Sequence, residues 1–376
     1  MSQRRIPAAF IRGGTSKGLF FRAADLPADP SARDALFLAA IGSPDPNGRQ
    51  LDGMGGGISS LSKVVVVAPP SRDDADVDYT FGQVAVDAAL VDYDGNCGNL
   101  TSAVGPFAVD EKLVPAADGA AVLTLHNTNT GKLVRARFAV RDGLAVTEGD
   151  TALPGVAGTA APVRLGFEQP GGAVTGRLLP TGNVADALDV PDIGHVRASL
   201  IDATTPMAFV AARDLGLAGP EMPDALEADA DLMRRLGAIR RAAAAAMDIP
   251  PDAQSVPKLG LIAGPARART LAGETLTADA MHLTARMLSM GRIHRALPLT
   301  GALCLAVAAH ITGGVVADLA RPTDGDLAIA HPSGLIEVKA SVRQAPDWRA
   351  DSVEVIRTQR RLMEGVVLVP GDSEPS

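Results

Sequence analysis

Two residues of this chain combine reactivity with a setting suited to acid–base chemistry on carbon. Cys97 stands in Asn96-Cys97-Gly98-Asn99, after the turn residues Asp92, Asp94 and Gly95 and ahead of an apolar run that reads as a helix. A thiol at a helix N-terminus faces unpaired N–H donors and a partial positive charge, which favours the thiolate. Gly98 beside it lets a substrate approach the backbone closely. The same lone cysteine also fits a buried, inert thiol. Lys63 stands between Ser59-Ser60-Leu61-Ser62 and the apolar run 64–67. A lysine led into such a strand loses water, and desolvation lowers an ammonium pKa towards that of a useful general base. A strand-end lysine reaching solvent is the alternative.

Anion capture has its own candidates. The segments 12–18 and 53–57 are rich in backbone N–H groups and small residues, and fit either carboxylate nests or ordinary tight turns. In Ser289-Met290-Gly291-Arg292-Ile293-His294 the Arg and His fall on alternate strand positions, hence on one face. An Arg fork suits bidentate carboxylate capture, while a surface ion pair is the plainer use. With 35 basic and 43 acidic residues the net charge is −8, so an anionic ligand must be captured locally, against the global field. No long basic stripe is present, which argues against nucleic acid as a partner.

Other chemistries find no support. Neither 12–18 nor 53–57 is a Walker loop, and six scattered histidines include no HExxH, so neither a cofactor nor a metal is expected. Cys97 and Cys304 form no CxxC pair and no disulfide framework, which points to a reducing cytoplasm. No run of 18 apolar residues predicts a membrane span, and the charged start Met1-Ser2-Gln3-Arg4-Arg5-Ile6 leads into no signal-peptide core.

Strands must position most of these residues. β-Type runs are expected at 18–22, 63–68, 77–91, 121–126 and 132–140. Helices are expected at 31–41, capped by Ser31, and at 226–247, where Leu232, Leu236, Ile239, Ala243 and Met247 form a stripe. Two further apolar helices start near Cys97 and Thr300. Only one Trp, two Tyr and nine Phe are available, so Ala, Val and Leu must fill the core. The mixture is α+β with a strand majority.

An internal repeat organises these elements. Thr15–Leu26 is echoed by Thr204–Leu215, Ser62–Ala68 by Pro257–Ala263, Gly82-Gln83-Val84 by Gly291-Arg292-Ile293, and Cys97-Gly98 by Thr300-Gly301. The order is conserved between the halves at offsets of about 190–210 positions. Gene duplication predicts two similar lobes, joined near 182–194, with a cleft between them.

The motifs Arg12-Gly13-Gly14-Thr15-Ser16-Lys17-Gly18, Asp52-Gly53-Met54-Gly55-Gly56, Ser62-Lys63, Gly95-Asn96-Cys97-Gly98-Asn99, Pro180-Thr181-Gly182-Asn183, Ser289-Met290-Gly291-Arg292 and His331-Pro332-Ser333-Gly334 resemble those of the PrpF family. That family includes 2-methylaconitate cis-trans isomerase, 4-oxalomesaconate tautomerase and related allylic isomerases, and the resemblance runs from about Arg5 to Asp372. It implies a diaminopimelate-epimerase-like fold of two pseudo-symmetric α+β lobes, each with a central helix wrapped by a mostly antiparallel sheet. The lobes would span 1–185 and 186–355, with 356–376 supplying a strand that returns to the first lobe and a tail. The resemblance implicates Lys63 and Cys97 in acid/base catalysis. It makes Ser16, Gly55, Gly56, Ser62, Asn96, Gly98, Asn99, Met290, Arg292, His294, Thr300 and Gly301 the substrate-binding candidates. Thr300 replaces the second helix-start cysteine of the epimerases, and Cys304 falls about one turn later, which disfavours a symmetric two-thiol racemase. Gly57-Ile58-Ser59 departs from many relatives, a change expected to bear on substrate fit.

The expected reaction is cofactor-independent isomerisation of an aconitate-like unsaturated di- or tricarboxylate. Lys63 is the preferred base, and Cys97 the acid, relay or second base. The segments 179–191 and 288–292 lean towards the methylaconitate isomerases; the alternatives are 4-oxalomesaconate tautomerisation, another allylic shift, or a polycarboxylate-binding sensor with no catalysis. The polycarboxylate is the expected partner, with a homodimer as the assembly allowed for.

Overall fold

Small residues at a turn set the first hairpin. Strands β1 (Arg4–Gly13) and β2 (Ser16–Arg22) pair antiparallel from Ala9↔Phe20 to Gly13↔Ser16. Gly14 turns between them with φ +51°, a conformation that suits glycine. The computed structural model describes residues 3–250, 253, 255–323 and 325–371. It divides into two compact units, Met1–Leu165 with Arg357–Ser376, and Gly166–Ile356.

In the first unit, helix α1 (Pro30–Ile41) follows β2. Its cap is Asp29, whose side chain accepts the Ala32 N–H at 2.8 Å, with Pro30 at the first helical position; Ser31, the expected cap, lies inside the helix. Next come β3 (Lys63–Ala68), β4 (Val77–Val84), helix α2 (Gly98–Asp110), β5 (Gly119–Asn127) and β6 (Lys132–Arg141). β2 pairs parallel to β3, β3 antiparallel to β4, β4 parallel to β5 and β5 antiparallel to β6. The expected run 77–91 thus ends as a strand at Val84.

Alternation along these strands splits the core into two layers. Phe10, Leu19, Phe21, Val64, Val66 and Val84 pack with Leu36, Phe37, Ala40 and Ile41 of α1. The opposite face holds α2, which is buried from Gly98 to Val109 and packs against β1, β2, β3, β5 and β6. Two of its polar side chains bond back to its own first turn. Thr101 donates to the Cys97 carbonyl at 3.0 Å and Ser102 to the Asn99 carbonyl at 2.7 Å. Gly105 is required by packing, since a Cβ there would stand 2.7 Å from the Phe138 ring.

The second unit contains β7 (Asp186–Val190), β8 (Gly194–Asp202), β9 (Pro206–Ala211), α3 (Ala230–Ala246), β10 (Lys258–Ala263), β11 (Leu283–Ser289), α4 (Leu299–Ala309), β12 (Leu327–His331) and β13 (Gly334–Gln344). Its pairings run β8–β9 antiparallel, β9–β10 parallel, β10–β11 antiparallel, β11–β12 parallel and β12–β13 antiparallel. α4 is buried from Leu299 to Ala308 and packs against β8, β9 and β13. The stripe of α3 is buried against Leu188, Val196, Leu200, Val210 and Leu259. The expected single helix 226–247 is interrupted, because Asp229 leaves helical geometry to cap α3 by accepting the Leu232 N–H at 2.9 Å.

The last strand, β14 (Trp348–Val369), pairs first with β13. From Arg357 it belongs to the first unit, where it runs antiparallel to β1 between Gly13↔Gln359 and Arg4↔Val369. Residues 166–185, placed in the first lobe by the sequence reading, group with the second unit. The expected joining segment 182–194 contains β7 instead, a strand paired with β8.

Candidate active site

Lys63 opens β3 directly opposite Gln83 of β4, so both side chains emerge on the α2 face. Gly18 of β2 lies alongside, and a Cβ there would stand 2.4 Å from the Lys63 carbonyl oxygen. Lys63 is 8% exposed. Its Nζ donates to Gln83 Oε1 at 2.6 Å and lies 4.9 Å from the centre of the Phe81 ring. Among the described residues no carboxylate pairs with it. Burial lowers the ammonium pKa from its ordinary value, and the facing Cys97 opposes this through charge and a hydrogen bond.

Cys97 is the N-cap of α2, half-buried, and its side chain does not cap the helix. Its Sγ instead donates to Ser16 Oγ at 3.9 Å and faces Lys63. Among the described residues nothing accepts the Gly98 and Asn99 N–H groups, so this helix end offers two donors and the positive end of the helix dipole beside the thiol. Below it, Tyr79 hydrogen-bonds Thr101 at 3.1 Å, and burial pushes its phenol up to about 12, so it stays neutral. A buried amine, a half-exposed thiol and two backbone donors thus meet in one unit. Such a set can remove a proton, return one and hold the charge formed between.

The remaining candidates of this unit divide. Ser16 faces the thiol. Asn99 is buried, and its Nδ2 donates to Thr15 Oγ1 at 3.2 Å, which ties the β1–β2 turn to the start of α2. Asn96 accepts from Asn127 at 3.4 Å, on the side of Tyr79. Ser62 is fully buried and donates to Gln50 Oε1 at 2.6 Å, so it braces the loop. The Gly55 N–H is engaged by the Ile41 carbonyl at 3.0 Å, closing the end of α1, and therefore forms no anion nest. Gly56 lies against Leu61, which fills the space of a side chain.

In the second unit, Met290 and Gly291 both have positive φ, 53° and 72°, and form the two-residue turn of a hairpin with Ser289 opposite Arg292. Met290 and Arg292 are exposed. His294 accepts the Ala296 N–H at 3.0 Å. Thr300 is buried, and its carbonyl accepts from Thr204 at 2.9 Å. Gly301 is a packing position, 2.7 Å from Met287 Sδ when given a Cβ, which explains the residue without a ligand. Cys304 is fully buried, hydrogen-bonded to the Ile201 carbonyl, and burial pushes its thiol far up. It is not a second reactive cysteine.

Gln83 is the residue sequence reasoning missed: it was read only as part of a repeat, against Arg292. The strand register pairs Leu259 with Leu288, so the strand leads past Lys258, the Lys63 counterpart, with Ser289 and not Arg292. A glutamine near the end of the strand VDYTFGQV was the available signal. Among the described residues no group of three or more His, Cys, Asp or Glu is placed to hold a metal.

The chain is 40% identical to a 3-methylitaconate isomerase of Eubacterium barkeri over 98% of each chain. It is also 40% identical to a 2-methyl-aconitate isomerase of Cupriavidus necator, over 99% of this chain and 98% of that one. A solved methylitaconate-delta-isomerase is 38% identical and superposes with a TM-score of 0.84 over the whole of both chains. A hydroxyproline epimerase from Agrobacterium vitis, 15% identical, shares the fold with a TM-score of 0.57 over 97% of this chain and 93% of that one. A family model described as PrpF protein matches residues 3–370, and with relatives of this identity and coverage the chain belongs to the PrpF family.

Proposed function

We propose that this isomerase moves a proton, and with it a double bond or its geometry, in an aconitate-like unsaturated di- or tricarboxylate. The observation that carries the proposal is the pairing of buried Lys63, hydrogen-bonded to the neutral amide of Gln83, with Cys97 at the start of α2. A C–H beside a C=C conjugated to a carboxylate is vinylogously acidic. Lys63 as the free amine takes that proton, and the electron pair spreads into a dienolate. Return of a proton to the same carbon after rotation gives a cis-trans change; return to the far carbon gives a shifted double bond. Cys97 is the proton donor or relay, and the Gly98 and Asn99 N–H groups hold the developing oxyanion.

The substrates in the names of the 40% identical relatives support a methylaconitate- or methylitaconate-type acid, with 4-oxalomesaconate, named in a 39% identical tautomerase, as the alternative. Arg292 is retained as a carboxylate ligand. The matching order of strand pairings in the two units, and a buried helix in each, support two duplicated lobes of diaminopimelate-epimerase type. A cytoplasmic enzyme, working as a homodimer, completes the reading.

A panel of aconitate-like acids followed by proton NMR in deuterium oxide tests it. The expected result is isomerisation of one acid with deuterium entering its allylic position. Tight binding of an acid with neither exchange nor isomerisation would instead make the protein a polycarboxylate sensor.

A further inference from the structure

Gln83 is held more firmly than a surface glutamine on a strand end. Its Nε2 donates to the Ser62 carbonyl at 2.9 Å, the Ser59 carbonyl at 3.0 Å and the Val84 carbonyl at 3.3 Å. Three oxygen acceptors on one side fix the amide, because a flipped amide would turn its own oxygen towards them. Oε1 is thereby obliged to face Lys63 Nζ, at 2.6 Å. The supporting carbonyls come from the turn Ser59–Leu61 and Ser62, a segment itself anchored by Ser62 on Gln50 Oε1 and the Ile58 carbonyl. The chain thus commits a turn, a buried serine and a cross-strand pair to presenting one neutral oxygen to one amine.

We propose that Gln83 is the positioning residue of Lys63, aiming the amine while withholding the negative charge that would keep it protonated. An amide oxygen accepts an N–H from either form of the amine and, carrying no charge, holds the ammonium ion far less than a carboxylate would, while the lone pair of the free amine stays directed elsewhere. A carboxylate at the same place would hold the charged form. The titratable groups that face Lys63 are Cys97, from the start of α2, and beyond it Tyr79 of β4; β2 presents Ser16 and Gly18 there, neither of them charged. Gln83 therefore decides whether the amine has a permanent counter-ion. The inference rests on Lys63 acting as the base.

The test compares Gln83→Glu and Gln83→Leu with wild type, using the acid that the panel identifies and the pH profile of kcat. In parallel, the pH dependence of Lys63 acetylation by acetic anhydride, read by mass spectrometry without substrate, reports the amine directly. Gln83→Glu is expected to move the acidic limb of both profiles upward by about one pH unit or more, with about tenfold less activity on that limb. Gln83→Leu is expected to lower kcat with little change in KM and to leave the limb no higher than in wild type. Were the glutamine merely structural, Gln83→Glu would depress kcat equally at every pH and leave both limbs in place, overturning the proposal, as would a folded Gln83→Glu with wild-type profiles. If Gln83→Glu fails to fold, Gln83→Leu decides alone: wild-type kcat there refutes the positioning role. A shifted acetylation profile without a shifted rate profile would keep Gln83 as the partner of the amine and remove Lys63 from the base role.

Discussion

Lys63 holds a position that stability alone would not select. Its pKa is lowered in the folded chain, so between the unfolded value near 10 and the folded one the unfolded chain binds more protons, and stability rises with pH across that window. Lys63→Met removes the desolvated amine while keeping its bulk. Its thermal midpoint should exceed that of wild type, by a margin that grows as pH falls from about 10 towards the folded pKa, while isomerisation is lost. A lower midpoint at neutral pH would mean that the amine stabilises the fold. The two thiols separate as sharply. Native protein should show one thiol reactive with a disulfide reagent, half-exposed Cys97, and a second, Cys304, only after unfolding. Prompt labelling of Cys304 would contradict its burial. Lys63 and Cys97 stood out in the sequence as candidates, but residue type and local setting left an inert alternative open for each, and the resemblance to the PrpF family singled them out. Gln83 and the bracing role of Ser62 were not legible there, because the first depends on a register between strands and the second on a contact with the loop residue Gln50, and no local pattern encodes either.

The elements that hold these side chains do so through glycines of two kinds. Gly13 and Gly18 are required by close approach: a Cβ at 13 would stand 2.6 Å from the Asn99 carbonyl, and one at 18 would stand 2.4 Å from that of Lys63. Gly18→Ala should therefore push β2 away from β3 where Lys63 begins it, costing about 1–3 kcal/mol and a larger share of kcat than of binding. Circular dichroism melts alongside kinetics check this, and an unchanged kcat would show that the pair tolerates the shift. The segment 53–57 shows the limit of reading glycines in a sequence. Its richness in N–H groups matched an anion nest, yet its Met54 and Gly55 donors close the last turn of α1 on Ala40 and Ile41. Met290-Gly291 likewise supplies the positive-φ corner of a hairpin, which leaves Arg292, exposed beside it, as the residue there with chemistry to offer. Arg292→Ala should weaken binding of the acid about ten- to 150-fold, as expected for a lost charge-assisted contact of about 1.5–3 kcal/mol, whereas Arg141→Ala should leave it unchanged. Equal effects at both positions would remove Arg292 from substrate binding.

Across the whole chain, the repeat was the feature that local motifs could not have supplied. The pairing Met207↔Lys258 in the second unit answers the adjacency of Gly18 and Lys63 in the first, so the echo of Lys63 in Lys258 is structural as well as textual. Its boundaries were less legible, since the composition of 166–185 does not reveal which unit it packs with. The two units differ in chemistry, because the helix of the second begins with Leu299 after Pro298 and buries Cys304. The account therefore stands on a single amine and a single thiol in the first unit. The most direct measurement is deuterium entry at the allylic carbon of the identified acid in deuterium oxide, with wild type, Lys63→Ala and Cys97→Ser, each first shown to be folded by its thermal midpoint. Lys63→Ala should lose both exchange and isomerisation by about 10²–10⁴-fold, and Cys97→Ser should retain exchange at the original carbon after isomerisation has fallen. A folded Lys63→Ala that isomerises at near the wild-type rate would contradict the account.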